Sequence, residues 1–471
     1  MECDEGFAKR YMNLRPEEVR FVDLFRILFS VNIDNKNFVD SKARKTKEDT
    51  FDVRWLIFLS IVAQKLLQFV SKPLSFIGST LEFFLNLLSF NTNILVLLLN
   101  VLRGKVVVPD RESANFKSFV ANTDERIVLD GSIKRGDGMR FLAALSIMAS
   151  KVSYENKAYI QTVVEDQWKM EFLGSYDFWN EYQDKATTQA FICRDKTNDQ
   201  DTIVVAFRGT EPFDADAWCT DVDLSWYKFQ GVGKIHGGFM KALGMQKYAG
   251  WSKEAKRDVN GGGPLAYYTI RDILREILQE NDRTKFIVTG HSLGGALAIL
   301  FPAVLAVHEE KLLLERLEGV YTFGQPRVGD GKFGDYMEKT FRENGINYYR
   351  FVYCNDMVPR VPYDYKGLLF KHFGTCVYHD RHYEGKIVLE EPNKNYFSPW
   401  HVIPMMLNAV FELIRSFTIW YTQGLHYRET WLLKVGRVIG LVIPGISAHS
   451  PQDYVNLTLL GSADVFVPRT S

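Results

Sequence analysis

The sequence predicts an α/β fold built on a mainly parallel central sheet, preceded by a long apolar helical segment. Three observations carry that reading. From about residue 107 onward, short runs rich in β-branched and aromatic residues alternate with helical stretches, the pattern of parallel strands joined by crossover helices. Ahead of them, the only charge between Lys72 and Arg103 is Glu82. The chain of 471 residues is 46% apolar and 24% charged, close to globular averages, which excludes wholesale disorder and a polytopic membrane protein. Lys plus Arg and Asp plus Glu both number 57, so no net field draws the chain to a polyanion and nucleic acid is not an expected partner.

Three segments follow in order. Residues 1–50 are polar, with one short amphipathic piece, VDLFRILFSVNI, and a basic cluster at Lys42, Arg44, Lys45 and Lys47. The first residues alternate charges where a secretory signal needs an apolar stretch, so no secretion is expected. The cysteines, Cys3, Cys193, Cys219, Cys354 and Cys376, are widely spaced and form no metal-ligand rhythm, which fits a reduced compartment and no metal.

Residues 51–106 form the hydrophobic helical segment. A straight helix over the residues between Lys72 and Arg103 would run about 45 Å, longer than the ~30 Å hydrocarbon core of a bilayer. Lys72-Pro73 and Asn91-Thr92-Asn93 are expected break points, and basic residues stand at both ends. If positive flanks mark the cytoplasmic side, both ends stay there, as in a re-entrant or hairpin anchor. A buried core helix of a soluble domain is the competing expectation, and an interfacial helix over residues 55–71 stays open.

Residues 107–471 carry the α/β pattern. TTQAFIC, TIVVAF, KFIVTG, GVYTFG and YYRFVY read as strands, and YTIRDILREILQ as a crossover helix. An apolar insertion at about 395–440 contains VIPMMLNAVFELIRSFTIWYT, interrupted by Glu412 and Arg415, which reads as amphipathic and faces either the core or lipid.

The chemistry centres on KFIVTG-HSLGG-ALAILF, where Gly290-His291-Ser292-Leu293-Gly294 joins a strand to a helix. Such a turn projects the Ser292 hydroxyl, and small flanking residues let strand and helix approach. A serine becomes nucleophilic only when a base removes its proton and a carboxylate orients that base, in the chain order Ser, acid, His. Asp356, directly after the strand YYRFVY, suits the acid. His372, His379, His382, His401, His426 and His449 all follow it. His449, in the Pro444-Gly445-led loop ISAHSPQDYV, is the expected base, with His401 its main competitor. A tetrahedral oxyanion needs two fixed donors, expected from the Leu293 backbone and from Thr210 in the RGT turn that ends TIVVAF.

Together GHSLGGALA, TFGQPRVGD, AFRGTEP, KIHGGF and NDMVPRVP resemble the class 3 (fungal-type) lipases over about residues 185–460. Within that family the chain is similar to the plant triacylglycerol lipases of seed oil bodies, through its hydrophobic N-terminal region, its apolar insertion and the ending AHSPQDYVNLTLLG. The resemblance implies an α/β-hydrolase fold and esterase chemistry on long-chain acylglycerols without metal or organic cofactor. It implies Ser292, Asp356 and His449 as nucleophile, acid and base, with Thr210 and Leu293 at the oxyanion hole. It further implies action at the oil-body monolayer or lipid-droplet surface, with the catalytic domain cytoplasmic and the endoplasmic reticulum membrane as the alternative site. The long insertion and the missing signal sequence depart from the secreted fungal members.

A lid is expected directly after Thr210, where Asp214 caps a short helix mixing Phe213, Trp218, Val222 and Trp226 with Asp216, Asp221 and Asp223. A phospholipase A1 or galactolipase at a bilayer is the rival enzyme, and a lipase-like scaffold for protein partners the rival from another class.

Overall fold

The computed structural model describes residues 8–20, 23–24, 27, 39–41, 51–196, 201–247, 249–255, 262–362, 364, 370–394, 396 and 399–466. The basic cluster from Lys42 to Lys47 and most of the amphipathic piece before it lie outside them.

The central sheet has eight strands: β1 Glu171–Asn180, β2 Lys185–Asp195, β3 Thr202–Phe207, β4 Lys285–His291, β5 Leu317–Phe323, β6 Asn347–Tyr353, β7 Thr375–His379 and β8 Gly385–Val388, in that spatial order. Strands β3 to β7 are parallel, and the flanking β1, β2 and β8 pair antiparallel. The helices that position the site are α1 Phe51–Phe90, α2 Ile94–Leu102, α3 Met139–Val152, α4 Ala215–Val222, α5 Ala266–Glu280, α6 Leu293–Val307, α7 Val402–Gln423, α8 Trp431–Gly440 and α9 Pro451–Leu460. Strand β3 shows why both faces are covered. Ile203, Val205 and Phe207 pack with α5 and α6, while Val204 and Ala206 pack with α3 and α9, the alternation of a strand buried on both sides. This is the α/β-hydrolase architecture expected from the sequence.

Helix α1 runs unbroken for 40 residues. The break expected at Lys72-Pro73 does not occur, because Pro73 removes a single ladder bond and the helix continues across it. The expected break at Asn91–Asn93 is real. Asn93 caps α2 by accepting from Leu95 N and Val96 N, and Asn91 hydrogen-bonds both the carbonyl and the N–H of Val107.

The helix has two different stripes. Ile57 (1% exposed) and Ile61 (0%) are buried, and polar staples continue that side along its length. Ser60 Oγ donates to Val222 O at 2.6 Å, Asn86 bonds both backbone groups of Lys117 at 2.8 Å, and Glu82 accepts from Phe119 N at 2.7 Å. Leu66, Phe69 and Phe76 stand exposed on the other side, Phe69 at 83%. Core packing and apolar exposure, competing readings of the sequence, therefore both hold, each for one stripe.

Helices α7 and α8 are amphipathic with the polar side inward. Ile403, Leu407, Val410, Ile414, Phe417 and Tyr421, spaced at alternating threes and fours, are exposed, whereas Glu412 and Arg415 are buried. In the interior, fully buried Arg437 of α8 pairs with Asp453 at 2.7 Å, Glu429 at 3.0 Å and Glu412 at 3.3 Å, and Arg415 reaches Asp453 at 2.9 Å. Burial alone would raise the Asp453 carboxyl, but Arg437 and Arg415 hold it below the usual range. The network ties the insertion to α9, just beyond His449.

Removing Arg437 would leave three buried carboxylates short of a partner. Arg437→Ala is expected to cost about 3–5 kcal/mol of stability, measured by chemical denaturation of the full chain in detergent. A loss below about 1 kcal/mol would show that the network does not hold the insertion in place.

Candidate active site

Strand β4 ends at His291 and helix α6 starts at Leu293, leaving Ser292 alone on the turn with φ 58° and ψ −129°. That left-handed φ is strained for a serine and presents its side chain away from the chain path. The neighbouring glycines make the turn possible. A Cβ on Gly290 would lie 2.1 Å from the Gly294 carbonyl carbon, and one on Gly294 would lie 2.3 Å from Phe207 O. Ser292 N donates to Phe323 O at 2.9 Å, tying the turn to the end of β5.

Asp356 follows β6 by three residues and is fully buried. Its Oδ2 accepts from His449 Nδ1 at 2.8 Å and from the Tyr454 hydroxyl at 2.5 Å, while Oδ1 accepts from Val358 N at 2.9 Å. The Arg360 guanidinium donates to the Asp356 carbonyl. His449 ends the short turn before α9. Its Nδ1 bond to a carboxylate fixes the tautomer and leaves Nε2, buried and without a hydrogen-bond partner, free to accept a proton. Gly324 admits the pair, because a Cβ there would stand 2.8 Å from His449 Cε1 and 2.9 Å from Asp356 Oδ2.

The structure leaves the other candidate histidines elsewhere. His372 meets Pro359 O at 2.6 Å, His379 is buried at the end of β7, and His382 lies beside Arg381. His401 is exposed at the start of α7, and His426 lies in the turn between α7 and α8.

Thr210 sits where the loop after β3 meets the serine turn. A Cβ on Gly209 would come within 2.5 Å of His291 O, so that loop and the turn touch backbone to backbone. Leu293, as the first residue of α6, has an N–H with no acceptor in its own helix, directed toward the helix N-terminus. Of the five residues singled out from the sequence, Ser292 and His449 line one cavity, Asp356 holds His449, Leu293 directly follows Ser292, and Thr210 follows the glycine that touches the serine turn.

Further residues complete the site, and sequence reading missed them. Tyr154 OH lies 3.0 Å from His291 Nδ1, and His291 Nε2 lies 3.0 Å from His449 O. Burial and the neighbouring His449 hold the His291 pKa well below its ordinary value, so His291 is neutral and its Nε2–H donates to the His449 carbonyl. Asp221, on α4, lies 2.8 Å from Thr210 Oγ1. Helix α4 is the expected lid helix, and Asp214 Oδ1 caps it by accepting from Ala217 N at 3.0 Å.

Ser292 and His449 open into a cavity of about 410 Å³ whose other walls are mainly apolar, including Val222 and Leu224 of the lid segment and Met357 and Val361 after β6. No Lys or Arg lines it among the described residues. A buried serine hydroxyl, an oriented imidazole with a free nitrogen and an apolar trough form the equipment for acyl transfer from a lipid-like ester.

The family model Lipase (class 3) matches residues 204–366, from β3 through the Asp356 loop. "Triacylglycerol lipase OBL1" of Nicotiana tabacum is 44% identical over 88% of this chain and 84% of its own length. The protein of the same name from Arabidopsis thaliana is 40% identical over 97% of this chain and 96% of its own. Among solved structures, lipase II from Rhizopus niveus is 27% identical, with a TM-score of 0.35 over 50% of this chain and 76% of that one.

Burial pushes the Asp221 carboxyl up to about 7, against the pull of the Thr210 hydroxyl and His449. An unfolded aspartate ionises near 4, so between pH ~4 and 7 folding takes up a proton and stability falls as pH rises. Once ionised, Asp221 captures the Thr210 O–H; while protonated, it donates to Thr210 Oγ1 and frees that O–H for an oxyanion. Ester hydrolysis is expected to decline as pH rises through about 7. Asp221→Asn, a donor at every pH, should flatten that limb and gain more in Tm over the parent at pH 8 than at pH 5. An unchanged descending limb in the variant would detach it from Asp221.

Proposed function

The chain belongs to the class 3 lipases, and from that membership we propose that Ser292, His449 and Asp356 carry its reaction, with Thr210 and Leu293 stabilising the oxyanion. It is a serine ester hydrolase acting on triacylglycerol. The observation that carries the residue assignment is that the strained Ser292 turn and His449, whose ring is held from behind by Asp356, line one apolar cavity.

Each step follows from that geometry. His449 Nε2 takes the Ser292 proton as Oγ attacks the ester carbonyl, and Asp356 stabilises the imidazolium through Nδ1–H. The tetrahedral oxygen meets the Leu293 and Thr210 N–H groups, each such donor contributing about 2.7–4 kcal/mol. His449 then returns the proton to the departing diacylglycerol oxygen. A water, deprotonated by the same nitrogen, attacks the acyl-Ser292 ester, and the fatty acid leaves as Ser292 regains its proton. Among the described residues the cavity lining holds no Lys or Arg to pair with a phospholipid headgroup, which supports neutral acylglycerols over the phospholipase alternative.

The protein works at the lipid-droplet monolayer, with its catalytic domain on the cytoplasmic side. Residues 51–106 serve as an anchor that stays stapled to the catalytic domain of residues 107–471, and the insertion at about 395–440 adds a second lipid-facing surface. Contiguous exposed apolar stripes of this size mark interaction surfaces. The helices Arg54–Phe90 and Pro399–Gln423 are long and apolar enough to cross a membrane. Their stapled or charged inner sides support lying against lipid over spanning it.

Ser292→Ala and His449→Ala should each lower turnover of emulsified triolein by several orders of magnitude, and His401→Ala only modestly. Fluorophosphonate labelling of Ser292→Ala at full strength would refute the nucleophile, and reversed histidine effects in folded variants would refute the base. Replacing Ile403, Val410 and Phe417 together by Glu should release the chain from triolein droplets in flotation. Retained binding would refute the lipid role of α7.

A further inference from the structure

The apolar helix that precedes the catalytic domain does more than hold it at a surface. Leu56, Leu59, Ser60 and Ala63, all from its first turns, line the same cavity as Ser292 and His449. Their spacing of three, four and seven residues puts them on one face of α1, and that face advances about 10 Å from Leu56 to Ala63. We propose that this face of α1 is one wall of the acyl-binding channel, and that Leu59 and Ala63 determine which acyl chains reach Ser292. The proposal rests on the reading of Ser292 as the acylated residue.

The wall is fixed in place. Ser60 Oγ donates to Val222 O at 2.6 Å and accepts from Leu224 N at 3.3 Å, so a single side chain binds α1 to both ends of the turn that closes the lid segment. Ile57 and Ile61 of the same turns are buried with Met12, Leu14 and Trp226. Further along, Gly78 leaves room for Phe213, whose Cβ would be 2.5 Å from a side chain at that position. The lid helix α4 therefore packs against a stapled helix, and its Trp218, Asp221 and Val222 line the cavity at Ser292 beside that helix.

The channel also has a lipid-facing mouth. Leu59 and Ile446 both line the cavity, yet they are 42% and 41% exposed, so they form a rim. Leu59 leads to the exposed stripe of α1, and Ile446 follows the exposed Val442 and Ile443 at the end of α8. An acyl chain leaving a lipid phase between these rims stays against apolar side chains all the way to Ser292. Each methylene buried along that wall adds to binding, and a side chain that fills the channel removes the gain for long chains first.

The test uses the full chain in detergent and compares kcat/KM for p-nitrophenyl palmitate and p-nitrophenyl butyrate. Ala63→Trp should lower the palmitate-to-butyrate ratio at least roughly tenfold. Leu59→Ala, which opens the wall and carries little folding risk, should shift preference toward longer or bulkier acyl groups. Ratios within about twofold of the parent in both folded variants, or a proportional loss on both esters, would overturn the proposal, because a helix acting only as an anchor or packing element moves both substrates together. Labelling of the parent by a fluorophosphonate at a residue other than Ser292 would instead overturn the underlying assignment, whatever the ratios show.

Discussion

No side chain fits between the end of strand β4, the start of helix α6 and the loop after strand β3. Gly290, Gly294 and Gly209 meet backbone atoms at distances that a Cβ could not keep. That three-way contact puts Ser292 into a conformation few residues adopt, sets Leu293 at the start of the helix directly after it, and brings the loop that carries Thr210 against the serine turn. The strain on one residue is held by the packing of two strands and a helix whose cores are fully buried. Catalytic geometry is thus a consequence of backbone proximity in the sheet, and the remaining groups are recruited to it by hydrogen bonds.

The proposed base is held by a longer chain of dependence. His449 receives Asp356 on its ring and the neutral His291 on its carbonyl, and Tyr454 of the helix that follows shares the same carboxylate oxygen. Asp453, the neighbour of Tyr454, is the centre of the buried charge network that holds α7 and α8. A helix pair that turns Glu412, Arg415 and Arg437 inward leaves mainly apolar residues to show outside. The inward network and the outward apolar stripe are therefore one arrangement seen from two sides, and the same residues that orient the base leave the surface suited to lipid.

What the sequence made legible was what local context marks. A strand, a turn of small residues and a helix mark Ser292 as the candidate nucleophile; chain order and a loop position mark Asp356 and His449 as its candidate partners; an Asp three residues ahead of a helical N–H marks the cap of the proposed lid helix. Tyr454 and Tyr154 were not legible, because they reach their partners across 98 and 137 residues and nothing in their neighbourhood distinguishes them from core tyrosines. Asp221 read as one of several acidic residues on an amphipathic helix, and only its contact with Thr210 singles it out. Pro73 misled because a proline weakens a helix by one bond, which a short helix does not survive and a long one does. The apolar stretch around it looked like either core or anchor, since hydropathy counts residues without saying which side of the helix they occupy.

That ambiguity has a physical resolution with consequences for how the enzyme works. A helix exposing Leu66, Phe69 and Phe76 to water presents an adhesive surface, whereas against lipid the same side chains are solvated. Its opposite stripe is bonded to the lid segment and lines the cavity at the serine. One rigid element therefore meets the lipid phase on one side and the reacting ester on the other, at a separation of a single helix diameter, about 10 Å. With Ser60 bridging Val222 and Leu224, the lid segment cannot move far without either breaking those bonds or carrying the helix with it. Whatever orients the helix at a lipid surface consequently acts on the lid and the channel together, so attachment and substrate access are one mechanical property of the chain.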